Sequence, residues 1–167
     1  MQEKPENKLD ALGMLIGSWT GEGRGYGNVS RVENSFEYVL QGHFIRNRTQ
    51  SVAHDSDGEF VELHEDWGMF SYDPDRDSIV LREFYSEDYV NICLMEEVGE
   101  PDKRLVFTSE KTERAGGLKA RLRYDFLSDD AFTVCLDLAK PGDEFRECQV
   151  DKMVHNSLGI LEVSQRS

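Results

Sequence analysis

The sequence predicts an all-β protein: a ten-stranded antiparallel up-and-down β-barrel with a short N-terminal helix over one end. Three observations predict it. Ten strand-like segments follow one another, the links between them are only a few residues long, and the first strand carries a stripe of alternate glycines. A parallel crossover needs a dozen or more residues, so short links require antiparallel neighbours. A meander of that many strands curls, and closing it removes both exposed edges. Two packed sheets are the competing architecture. The chain, 1–167, reads as a single domain large enough to bury a core, with 1–7 and 157–167 as its loosest parts.

The elements follow in order. Leu9, Leu12, Leu15 and Ile16 recur at helical spacing until the Gly17 breaker. Strand one, 17–26, places Trp19, Gly21, Gly23, Gly25 and Gly27 on one face. Alternate glycines in a strand mark a bend, or a place where something approaches the backbone closely. That object is either a neighbouring side chain or a ligand. Strand two, 29–40, alternates Val32, Asn34, Phe36, Tyr38 and Leu40, and Gln41-Gly42 turns the chain into strand three, 44–53. Asp55-Ser56-Asp57-Gly58 makes a hairpin into strand four, 60–72. Strands five and six, 79–86 and 89–98, follow the Asp73-Pro74-Asp75 turn. The last four, 105–111, 118–127, 132–139 and 145–154, are separated by Gly- and Asp-rich links.

Composition narrows the partners. A net charge of −14 disfavours nucleic acid and anionic membrane surfaces. No apolar run approaches membrane-spanning length, and the polar N-terminus lacks a signal-peptide core. Cys93, Cys135 and Cys148 are odd in number and widely spaced, so buried free thiols in a reducing, cytoplasmic setting are expected. The chain allows a homodimer but does not specify one.

A ten-stranded barrel is wider than the eight-stranded ones that already hold one small ligand, so its interior should be partly hollow. In strand three, Phe44, Arg46, Arg48, Gln50 and Val52 share one face and Ile45, Asn47, Thr49, Ser51 and Ala53 the other. Neither face is purely apolar. Inward arginines would grip a ligand carboxylate, whereas outward ones would pair with Glu33 and Glu37. Glu62, His64 and Asp66 share a face of strand four, yet one strand supplies too few ligands to hold a metal. No catalytic-triad motif, Walker loop or dinucleotide fingerprint occurs.

The run Leu15-Ile16-Gly17-Ser18-Trp19-Thr20-Gly21-Glu22-Gly23-Arg24-Gly25-Tyr26 resembles the opening of nitrobindin-like β-barrels, relatives of lipocalins and fatty-acid-binding proteins in the calycin group. The block around Trp67-Gly68-Met69-Phe70-Ser71-Tyr72-Asp73 is similar to small lipocalin-like barrels. Nitrobindins hold haem through a histidine near the C-terminus in a Gln-Pro-His setting. The resemblance implies His155, here preceded by Lys152-Met153-Val154, as that ligand.

The expectation is therefore a barrel that binds an apolar or amphipathic small molecule. Its ligand-binding residues would be Trp19, Gly21, Gly23, Phe36, Tyr38, Arg46, Arg48, His64 and Trp67, with Trp19 plugging the helix-covered end. The first alternative is haem on His155. The second is an acid–base enzyme using His64 with Glu62 or Asp66.

Overall fold

The computed structural model of the protein describes residues 6–158. It is a closed barrel of ten antiparallel strands in simple meander order: β1 (Gly17–Gly25), β2 (Asn28–Val39), β3 (Phe44–His54), β4 (Phe60–Asp73), β5 (Ser78–Tyr85), β6 (Val90–Glu96), β7 (Arg104–Glu113), β8 (Lys119–Ser128), β9 (Ala131–Ala139) and β10 (Arg146–His155). Every strand read from the sequence is present, with ends within two residues of those expected. Of the loose ends expected at 1–7 and 157–167, residues 1–5 and 159–167 lie outside the described residues. Asn7, by contrast, is tied down: its side chain caps Leu9 and donates to the Gly42 carbonyl at 3.0 Å.

The N-terminal helix, Lys8–Leu15, is of the 3₁₀ type. Leucines at every third position suit three residues per turn, and Leu9, Leu12 and Leu15 are all buried against the barrel end. Tyr38 reaches back from β2 to fix this cap, its hydroxyl donating to Asp10 at 2.9 Å.

Closure happens between β1 and β10, with Trp19 opposite His155, Gly21 opposite Met153 and Gly23 opposite Asp151. The glycine stripe makes that seam. A Cβ on Gly21 would overlap the Lys152 carbonyl oxygen and press on the Met153 sulfur, 2.8 Å away. The close object foreseen from the glycines is thus the neighbouring strand. Gly27 serves differently: with Tyr26 it turns β1 into β2 at positive φ on both residues, the geometry of a type I′ hairpin.

Outside, the barrel is laced by ion pairs. Arg121 and Arg123 converge on Asp137, and Arg123 also reaches Glu147. Burial opposes ionisation of Asp137, but Arg123 and Arg121 outweigh it and hold its pKa below the ordinary carboxylate value. The three cysteines are free, with Cys93 and Cys135 buried. No helix among the described residues is long and apolar enough to cross a membrane.

Candidate functional site: a half-filled barrel with an acidic pocket

Strand alternation decides what enters the barrel. Inward from β2 come Ser30, Val32, Asn34 and Phe36; from β3, Ile45, Asn47, Thr49 and Ser51; from β4, Glu62, His64, Asp66, Gly68 and Phe70. The helix-covered half is solid. Trp19, Phe36, Phe70, Phe107, Tyr124 and Phe132 form a continuous set of ring contacts, with Trp19 and Phe132 at 4.7 Å between centroids and Phe70 and Phe107 at 5.3 Å. The Trp19 indole nitrogen donates to the Leu15 carbonyl at 2.8 Å, binding the cap to this floor.

The other half is hollow. A cavity of about 300 Å³ lies between the aromatic floor and a rim that includes Tyr26, Glu87, Tyr89, Ala115 and Leu118. Its walls differ in chemistry. Leu122, Tyr124, Val134, Leu136 and Leu138 from β8 and β9 make an apolar side. Across from them, β2 to β6 supply Asn34, Asn47, Thr49, Ser51, His64, Asp66, Glu83 and Asn91. Five carboxylates line the cavity (Glu62, Asp66, Glu83, Glu87 and Asp151), and no lysine or arginine does among the described residues.

Register explains how these groups meet. Asn47, Gly68, Glu83 and Asn91 are successive cross-strand neighbours on the inner face of β3 to β6. One step nearer the rim, Asn34, Thr49, Asp66 and Tyr85 form the parallel row. Asp66 and Glu83 are therefore diagonal neighbours.

Two carboxyls in that position cannot both ionise cheaply. Glu83, only 3% exposed, has its pKa raised from 4.5 to about 8, first by burial and then by the charge of Asp66. The Tyr85 hydroxyl donates to it at 2.5 Å and works against the rise. His64 goes the other way in charge: its hydrogen bond with Asp66 lifts it to about 9 against burial, with help from Glu87. Its Nε2 lies 3.3 Å from Asp66 and its Nδ1 2.6 Å from Glu87, so both ring nitrogens are already engaged. Burial also raises Asp151, which accepts from Gln149 at 2.9 Å. In Asn34 and Asn47 the side-chain oxygen is buried without any hydrogen-bond partner. Among the described residues no three His, Cys, Asp or Glu side chains are grouped to hold a metal ion.

Of the ligand-binding residues expected, His64 lines the cavity and the others do not, while Glu62 and Asp66, expected beside His64 in the acid–base alternative, line it too. Trp19 and Phe36 belong to the solid floor, as the helix-covered end required of Trp19. Gly21 and Gly23 are covered by β10. Tyr38 serves the cap. Arg46 and Arg48 are on the outer face, paired with Glu37 and Glu65, and Arg46 lies 5.9 Å over the ring of Trp67, itself outward and 52% exposed. Among the described residues no arginine lines the cavity to grip an acidic ligand head, because the polar inner face of β3 is the one carrying Asn47, Thr49 and Ser51.

His155 sits at the opposite end from the cavity. Its ring packs edge-on against Trp19 at 4.9 Å, its Nδ1 meets the Ser157 hydroxyl at 2.8 Å, and its Nε2 faces Gly17. That setting does not fit a haem-ligating histidine facing the hollow half, since Nδ1 is engaged with Ser157 and Nε2 lies over the Gly17 backbone. Sequence reading missed Asn47, Glu83 and Asp151 as cavity residues. The signal was present: Glu83 is in phase with Ile79 and Leu81, and Asn47 with Ile45, all of them buried.

No family model and no curated protein matches the sequence. Among solved structures, Rv2717c from M. tuberculosis is similar with a TM-score of 0.59 at 17% identity, over 88% of this chain and 96% of that one. The S-type phycobiliprotein lyase CPES from Guillardia theta is similar with a TM-score of 0.53 at 11% identity, over 90% and 93%. At these identities the likeness is one of fold. It agrees with the barrel architecture.

Proposed function

We propose that the protein is a small-molecule-binding barrel that takes one amphipathic ligand into its open half. The observation that supports this best is the two-sided cavity. A chain that filled its barrel only for stability would continue the aromatic packing to the rim. Here the packing stops, and an apolar wall of β8 and β9 faces hydrogen-bonding groups across about 300 Å³. The ligand's apolar body lies against Leu122, Val134 and Leu136, and its polar end meets Asp66 and the asparagines. The free thiols suit a reducing, cytoplasmic setting for this role.

Native mass spectrometry of the protein as purified tests the reading, with a Leu136→Trp variant as control. The expected result is one co-purifying or library-derived small molecule per chain, lost in the variant. A variant that retains the molecule, or a library with no member that shifts the melting temperature, would overturn it.

A second reading has its own support. Glu83 has its pKa raised to about 8, by burial and then by the Asp66 charge on the neighbouring strand, a setting that suits a proton donor in enzymes. In that case Glu83, rather than the doubly engaged His64, supplies the proton. A substrate screen in which Glu83→Gln retains every activity found would dispose of it. Haem on His155 gains no support from this geometry.

A further inference from the structure

Resting on the small-molecule reading above, we infer that the ligand's polar end is a cation, a protonated amine or amidinium, seated among Asp66, Glu83 and the amide oxygens of Asn34 and Asn47. Three features point there independently of one another.

The first is the pair of orphaned acceptors. Asn34 is 7% exposed and Asn47 2% exposed; both line the cavity, and the side-chain oxygen of each has no donor. A buried acceptor left unpaired is costly, and a natural chain keeps few of them without a use. What these two lack is a donor. The second feature is the imbalance of charge. The lining holds five carboxylates and no lysine or arginine among the described residues, and its one cationic side chain, His64, is already divided between Asp66 and Glu87. A ligand bringing a negative charge would face the surrounding carboxylates with only an already paired His64 to offset them. A ligand bringing a cation supplies the missing counter-charge. The third is position. Gly68, between Asn47 and Glu83 in the cross-strand row, has no side chain to separate them. Across the lumen, Leu122, Val134 and Leu136 offer an apolar surface for the rest of the molecule.

Proton balance follows from the same groups. Glu83 is faced by Asp66 and His64 of β4, Tyr85 of β5, Cys93 of β6 and Tyr124 of β8, while Asp151 of β10 lies near Asp66 and His64. Burial and Asp66 keep its proton on at neutral pH. A cation arriving beside it favours the carboxylate, so the proton leaves to solvent as the ligand enters.

Matched probes provide the test: 4-phenylbutylamine, 4-phenylbutanol and 4-phenylbutyrate, titrated calorimetrically near neutral pH in buffers of differing ionisation enthalpy. The amine is expected to bind about tenfold or more tighter than the alcohol, to release a proton, and to outbind the carboxylate by a wider margin. Asp66→Asn should remove the amine's advantage, lowering its affinity about tenfold or more relative to that of the alcohol. Asn47→Leu should weaken the amine while leaving the melting temperature equal or higher, because it deletes an unpaired acceptor. If the three probes bind equally, or the carboxylate binds best, the cation inference is overturned while the binding barrel stands. If none binds, and none of a wider set of alkyl and aryl amines, alcohols and acids does, both fall.

Discussion

At the scale of single residues the decisive group is Glu83, and its protonation gives a measurable signature. Its pKa rises from 4.5 unfolded to about 8 folded, so the native protein holds a proton that the unfolded chain has released across that window. Stability therefore falls as pH rises through it. His64, raised from 6.5 to about 9, adds a contribution that is full below 6.5 and lost as pH climbs to about 9. The two slopes share a sign. The urea midpoint is expected to decline steadily between about pH 5 and 9, and Glu83→Gln should flatten the acidic part of that decline while His64→Gln flattens the alkaline part. An unchanged profile in Glu83→Gln would show that this carboxyl is not the proton holder. The residue scale is also where the sequence was hardest to read. Both faces of β3 mix polar and apolar side chains, so alternation alone could not say whether Arg46 and Arg48 or Asn47 and Thr49 turned inward. The choice is made by tertiary context: Ile45 must reach the aromatic floor, and one fixed register sends Asn47 in and the arginines out.

Among the elements, β1 and the 3₁₀ cap bear the most weight. Gly21→Ala places a methyl against the Lys152 carbonyl across the seam, and the overpacking should cost about 1–3 kcal/mol in denaturant titration. Trp19→Ala removes a buried ring and the hydrogen bond to Leu15, for an expected loss of about 3–5 kcal/mol. A Gly21→Ala protein as stable as the parent would mean that the seam can shift to accommodate it. Elements were legible in the sequence because most strands are bounded by their own turn chemistry: Gln41-Gly42, Asp73-Pro74 and Pro141-Gly142 sit where the chain reverses, whereas Tyr26-Gly27, read as the end of the glycine strand, is a turn as well. What the glycine stripe accommodates was not legible. Alternate glycines report a close approach without naming the visitor, and only the pairing of β1 with β10 identifies it.

For the whole molecule, charge is the governing property. A net charge of −14 surrounds a cavity that is itself lined with carboxylates, so a cationic ligand is drawn by the overall field as well as by its immediate neighbours. Raising the salt from about 0.02 M to about 0.5 M should weaken 4-phenylbutylamine binding and leave 4-phenylbutanol nearly unaffected, because screening shortens the reach of the field. Equal salt dependence for both probes would count against an electrostatic contribution.

The division of the barrel into a solid base and a hollow top has a consequence for how such a protein diversifies. Durability resides in the rings around Trp19 and Phe107, and in the proposed binding role cargo preference would reside in positions such as Asn34, Asp66, Leu122 and Leu136 at the other end. New appetites can be selected at the top without loosening the foundation, and a library randomised at those four positions should yield mostly well-folded members.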